Sequence, residues 1–351
     1  MQATGDVHVY KILGVSPGHE WVAIEGDCGA AGASGATGGK TGIAGFEVGV
    51  LNVELKDGAT IINNNGYAYI RDTPEMPRLL AALKPDKLSG NAKWRLHIEY
   101  ERNRDDHSYY PGPTAAEWKT LPASANWNIV DELGADFRGG KATLYCEYAG
   151  ILCQMVIHIR GNNPAETTVA TEIGDNPWYA KPIAKWESDR PIQGRYYAQF
   201  NTVGNLGPNS GDYLSCPNFG APNGWGIFQL DTPNPIAQQL WSWKANVSGG
   251  KARLANPCRT EAQTWITAQE TQQQAEEPSM SLDNYIFTFN GVNFRKGTTK
   301  TPVDACTIQR YNGAGLWVIY WKNKTETEPG SWQIRGGSYS EYVEHICSEV
   351  P

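Results

Sequence analysis

The chain has 351 residues, 40% of them hydrophobic and 19% charged, and carries a formal charge of −7. That length suits about two domains, and the composition supports a packed core rather than a disordered chain. No long basic run occurs, so nucleic acid is a poor partner, and no stretch reaches a bilayer-spanning apolar length, so membrane insertion is not expected.

Residues 1–165 read as a β-rich region. The start, Met1 to Asp6, lacks a basic patch followed by an apolar stretch, so no export signal is read there. The stretch from Gly26 to Gly45 is rich in Gly, Ala, Ser and Thr, cannot fill a core and reads as loop. Trp94 to Tyr100 alternates apolar and polar residues, as a half-buried strand does. Residues 141–148 and 151–159 read as a hairpin turning at Ala149-Gly150, where Cys146 and Cys153 could face each other. His97, His107 and His158 are scattered and accompany no metal-ligating or Cys/His catalytic spacing.

Gly161-Asn162-Asn163-Pro164 reads as a linker, and residues 166–351 as a mainly α-helical domain, an α+β class overall. Asn-Pro pairs at 176–177, 234–235 and 256–257 each precede a helical pattern, with Asn as the cap and Pro at the first helical position. In the first, Tyr179, Ile183 and Trp186 share one face; in the second, Ile236, Leu240, Trp243 and Val247; in the third, Cys258, Ala262 and Trp265. Ser338-x-x-Glu341 has the capping-box form and opens a last helix with Tyr339, Tyr342, Val343 and Ile346 inward. Between helices, residues 188–228 read as loops and a short β-hairpin.

Seven cysteines (Cys28, Cys146, Cys153, Cys216, Cys258, Cys306 and Cys347) match no zinc-ribbon or zinc-finger spacing. Four follow residue 210, which suits one or two disulfides in that half. The odd total leaves at least one free thiol, and a small buried hydrophobe is the other reading of each.

Glu187 is the candidate acid. It follows Ile183 by one turn and Ala180 by two, on the inward side of its helix and near the C-terminal end. Burial and the negative helix end both disfavour a carboxylate there, which suits a proton donor to a glycosidic oxygen. The other reading is a glutamate paired with Lys185 or Arg190, or pointing to solvent. Gln229 ends the turn Gly224-Trp225-Gly226-Ile227-Phe228-Gln229, where glycines allow close backbone approach to a ligand or simply a tight turn. Tyr311-Asn312-Gly313 reads as a helix end with a glycine cap.

Glu187-Ser188, Gly226-Ile227-Phe228-Gln229, Tyr311-Asn312-Gly313-Ala314-Gly315 and Tyr339 to Val343 occur in the order found in the lysozyme-like superfamily. The half from about 166 to 351 resembles its lytic transglycosylases and goose-type lysozymes most. It departs in Phe228, where Met is commoner, in one extra glycine after Asn312, and in long insertions around 248–300. The resemblance implies peptidoglycan as substrate, cut between N-acetylmuramic acid and N-acetylglucosamine, with no cofactor and no metal. Glu187 would be the acid/base and Ser188 would hold its carboxylate or a sugar group. Gln229 would hydrogen-bond the glycan, Tyr311 would touch Glu187 or the sugar, and Asn312 would shape the same wall.

A lytic transglycosylase needs one acid, whereas a hydrolase generally needs a second carboxylate. Asp189, Asp212 and Asp231 are the candidates, with Asp212 placed in the loop region. The single-acid lyase is favoured, and muramidase hydrolysis or non-catalytic glycan binding are the alternatives. Tyr196, Tyr197, Phe200, Tyr213, Phe219 and Trp225 suit sugar stacking or ordinary core packing. The run Tyr196 to Asn201 has the mixed polar and aromatic character of a sugar groove, with Gln199 as a binding residue. The β-rich region is then expected to bind the wall, aid delivery or contact the catalytic half. Action in the periplasm without a visible signal suggests delivery by phage or by a contact-dependent secretion machine. An effector of that kind implies a cognate immunity protein in the groove.

Overall fold

The computed structural model describes residues 11–15, 22–25, 51–86, 88–100, 118–188, 190–204, 211–313 and 317–349. Cys28, His107, the Gly26–Gly45 stretch and the end of the Tyr-Asn-Gly-Ala-Gly sequence lie outside these residues. Strands dominate the first part and helices the second, an α+β arrangement. The chain divides into two compact units. One holds described residues up to 160 except 71–75, and the other holds 71–75 and those from 161 onward.

In the first unit, after a hairpin of β1 (Lys11–Val15) and β2 (Val22–Glu25), two antiparallel sheets follow. The four-stranded sheet comprises β3 (Asn52–Asp57), β4 (Thr60–Ile62), β6 (Leu79–Lys84) and β9 (Trp127–Asn128), in the order β4-β3-β6-β9. A short helix α1 (Ile129–Leu133) follows β9. The five-stranded sheet comprises β5 (Gly66–Ile70), β7 (Asn91–Glu99), β8 (Lys119–Pro122), β10 (Gly140–Tyr148) and β11 (Ile151–Gly161), in the order β5-β11-β10-β7-β8. The expected strand is β7, whose Ala92, Trp94, Leu96 and Ile98 are buried while alternate residues are not. The expected hairpin is β10–β11, turning through Ala149 and Gly150 at positive φ, with Cys146 and Cys153 as register partners. Trp94 meets Trp127 at 6.0 Å, which joins the inner faces of the two sheets.

The second unit opens with α2 (Glu166–Ile173), which the helical spacing did not predict, and α3 (Ala180–Glu187). A short turn α4 (Arg190–Gln193) leads through loops to the hairpin β12 (Phe219–Gly220) and β13 (Gly224–Trp225). Then come α5 (Ala237–Trp241), α6 (Trp243–Arg253), a π-helical turn at Leu254–Arg259 and α7 (Thr260–Glu276). The hairpin β14 (Phe287–Phe289) and β15 (Val292–Phe294) precedes α8 (Pro302–Tyr311). A hairpin of β16 (Ile319–Lys322) and β17 (Ser331–Ile334) leads to α9 (Glu341–Ser348). Ile183, Phe228, Trp243, Ile308, Tyr311 and Val343 belong to one apolar core. No helix among the described residues is long and apolar enough to cross a membrane.

The Asn-Pro pairs do not cap helices. α3 starts after Tyr179, α5 after Ile236, and Asn256 sits inside the π-helical turn with extended backbone. The second predicted helix is broken at Ser242, whose hydroxyl accepts from the Ala245 amide and caps α6. The last helix starts at Glu341, with Ser340 in place of Ser338 at its N-cap and no side-chain cap. Tyr342, Val343 and Ile346 are buried as expected, but Tyr339 is only half-buried. The expected disulfides are absent among the described residues: Cys146, Cys153, Cys216, Cys258, Cys306 and Cys347 are free thiols. The last four lie buried on separate elements and fill core space as small hydrophobes. Burial pushes the thiols of Cys306 and Cys347 up to about 12, which keeps them uncharged.

Candidate active site

α3 buries Ala180, Pro182, Ile183 and Ala184, so its last residue, Glu187, leaves the helix on the same inward side. Glu187 retains some exposure, and its carboxyl contacts Tyr342 within the fields of Arg253 and Asp231. The Tyr342 hydroxyl donates to Glu187 Oε1. Burial pushes the Glu187 carboxyl up to about 7. The Tyr342 hydrogen bond and the Arg253 charge oppose that rise, and the Asp231 charge adds to it. Lys185 does not pair with Glu187: its ammonium meets Glu349 at 3.4 Å and lies over the Tyr196 ring.

Tyr311 lies close enough for the Glu187 charge to act on it, but its hydroxyl is engaged elsewhere. Its hydroxyl donates to the Phe228 carbonyl at 2.5 Å, which ties α8 to the Gly226–Gln229 turn. Tyr342 makes the hydrogen bond to Glu187 that was one of the two contacts expected of Tyr311. Arg253, at the end of α6, lies 4.9 Å above the Tyr311 ring, reaches the Tyr311 carbonyl at 3.4 Å and pairs with Asp231. Asp231 is therefore a carboxylate whose charge acts on Glu187, and it is paired with the Arg253 guanidinium. Asp212 is exposed and accepts from the Leu214 amide in its own turn. The Asp189 side chain lies outside the described residues.

The Gln229 carboxamide lies between Gly220 and Gly224, where an added Cβ would come within 2.2 and 2.4 Å of its Oε1. Its Nε2 donates to the Gly226 carbonyl at 2.8 Å, so Gln229 closes the turn while staying half-buried. Asn312 is exposed at the end of α8, followed by Gly313 at φ +77°, which is the expected glycine cap.

Ser188 and Gln199, expected to bind substrate, are both buried and hydrogen-bonded to backbone groups. Ser188 is fully buried, donates to the Lys185 carbonyl and accepts from the Tyr197 amide at 2.8 Å. Gln199 is fully buried, donates to the Leu240 carbonyl at 2.7 Å and accepts from the Ile227 amide at 3.4 Å. Loops inside a helical unit carry backbone groups that no helix or sheet satisfies, and these side chains satisfy them. Asn246 does the same, accepting from the Phe228 amide at 3.0 Å and donating to the Trp225 carbonyl at 3.0 Å. Tyr197, Phe200 and Trp225 are likewise core residues, while Tyr196, Tyr213 and Phe219 stay half-buried.

Helical spacing places Tyr342 on a buried face but does not give it a role. The available signal was its hydroxyl, which needs a partner once buried. Arg253 carried no local signal. Among the described residues no cluster of three or more His, Cys, Asp or Glu side chains is arranged to hold a metal ion.

The acid's neighbours make opposite predictions. Tyr342→Phe removes a donor to the carboxylate and should raise the Glu187 titration midpoint. Asp231→Asn removes a negative neighbour, leaves Arg253 unpaired and should lower it. Carbon-13 NMR titration of the glutamate carboxyls reads both; shifts in the same direction would contradict this arrangement.

No family model matches the chain, and neither a curated protein nor a solved structure matches it.

Proposed function

We propose that the second unit is a lysozyme-like domain that cleaves peptidoglycan strands between N-acetylmuramic acid and N-acetylglucosamine as a single-acid lytic transglycosylase. The observation that carries this reading is Glu187, at a helix end that retains solvent contact, with a carboxyl that burial pushes up to about 7 so that a large protonated fraction persists near neutral pH. The Glu-Ser and Gly-Ile-Phe-Gln sequences support peptidoglycan as the substrate. The protonated Glu187 gives its proton to the glycosidic oxygen as the bond from that oxygen to the anomeric carbon breaks. The resulting carboxylate removes the proton of the same sugar's 6-hydroxyl as that oxygen bonds to the anomeric carbon. A 1,6-anhydro ring closes, and the acid is regenerated without water.

The ion pair between Asp231 and Arg253 supports this route over hydrolysis, because a carboxylate already engaged by a guanidinium is less free to orient an attacking water or face an oxocarbenium ion. Mass spectrometry of material released from purified peptidoglycan tests the reading. Fragments with 1,6-anhydro ends are expected. Reducing ends would instead mean a muramidase, and no release would overturn glycan cleavage.

A further inference from the structure

Helical spacing puts Trp186 on the buried face of α3 with Tyr179 and Ile183, yet the structure leaves it 43% exposed. The residues at the end of α3 meet successive positions along α9 and its C-terminal end. Lys185 reaches Glu349 at 3.4 Å, Trp186 packs on His345 with ring centroids 4.3 Å apart, and Glu187 receives the Tyr342 hydroxyl. Positions 342 and 345 are separated by about 4.5 Å along the α9 axis, at 1.5 Å rise per residue. The partner of the indole therefore stands roughly one helical turn along α9 from the partner of the acid, and the indole is backed by the imidazole while still open to solvent. An exposed indole next to the acid in the chain, held in place by a second ring on the same helix that supplies Tyr342, offers an apolar face to the apolar C–H face of a sugar. The Lys185–Glu349 pair borders it on the far side with polar groups suited to hydroxyls.

We propose that Trp186 is the stacking platform for a sugar ring next to the bond that Glu187 cleaves. This assignment rests on the glycan-cleaving reading of the same site. It makes Trp186 a substrate-binding residue with His345 as its support.

The test uses the full chain carrying Glu187→Gln, so that no turnover occurs, and a tetramer of N-acetylglucosamine as probe. Calorimetry compares this parent with versions that also carry Trp186→Phe or Trp186→Ala. The alanine version should bind about tenfold more weakly or worse, and the phenylalanine version should keep part of the affinity. In nitrogen-15 NMR, the indole N–H signal that disappears in Trp186→Phe should shift when the tetramer is added to the parent. If the alanine version fails to fold, the phenylalanine affinity and this signal decide. Equal affinity in all three proteins, with an unmoved indole signal, overturns the platform and leaves glycan cleavage standing. Absence of any binding by the parent overturns the platform, while glycan cleavage is judged separately by the fragments released from peptidoglycan.

Discussion

Glu187→Gln should lower peptidoglycan clearing by roughly 10³-fold, the range of a general acid–base contribution. Loss of turbidity of purified peptidoglycan measures it, and activity equal to that of the wild type would remove Glu187 from the mechanism. Glutamine keeps the acceptor that Tyr342 needs, so the fold should survive. With the acid titrating at about 7, wild-type activity should fall above that pH through one ionisation. Stability carries the same signature with a definite sign. The folded-state value lies above the ordinary 4.5, so folding is favoured most below 4.5, where the group is neutral in both states. That advantage is lost as pH rises to about 7, at a cost of about 3 kcal/mol. Glutamine removes the titration. From about pH 4 to about pH 8, urea unfolding should therefore shift in favour of Glu187→Gln by about 3 kcal/mol. A constant difference between the two proteins would mean that the carboxyl is not held neutral by its surroundings.

Gly226→Ala should be the most damaging small substitution in the turn. Gly226 has φ +74°, where an L side chain is strained, and an added Cβ would lie 2.3 Å from Asn246 Nδ2 and 2.8 Å from Gln199 Oε1. Those atoms belong to the buried amides that hold the turn, so they cannot swing away without leaving backbone groups unpaired. Strain, overpacking and a broken buried network together should cost roughly 3–5 kcal/mol. Activity should fall too, because the same turn carries the Phe228 carbonyl that fixes Tyr311. Gly336→Ala is the control: nothing lies within 4 Å of its added Cβ, and its φ is −82°. Urea midpoints that coincide for the two variants would contradict this account of the turn.

Where the site was readable in advance, the signal was local. Strand β7 follows from alternation, the β10–β11 turn from Ala149-Gly150, and the inward placement of Glu187 from its spacing to Ile183. Ser188 and Gln199, expected to bind substrate, and Tyr197 and Trp225, readable as sugar stacking or core packing, all turn out buried for one shared reason. Polar and aromatic residues in a loop have the same composition whether they line a groove or serve buried backbone groups and core, and here they do the latter. Asn-Pro caps failed because the same dipeptide also suits a turn, and packing then chose where each helix began.

Residue order and periodicity alone settle that strands precede helices, that Glu187 ends a helix on its apolar side, and that Gly313 closes another. Those properties depend on φ/ψ preference and on neighbours within a few residues. Which tyrosine meets the acid, which carboxylate is paired with a guanidinium and which tryptophan stays open were decided only when distant segments packed. Tyr342 lies 155 residues from Glu187, and Arg253 lies 22 from Asp231. Spacing along a helix names the face a residue occupies but is silent on what the chain later brings against it.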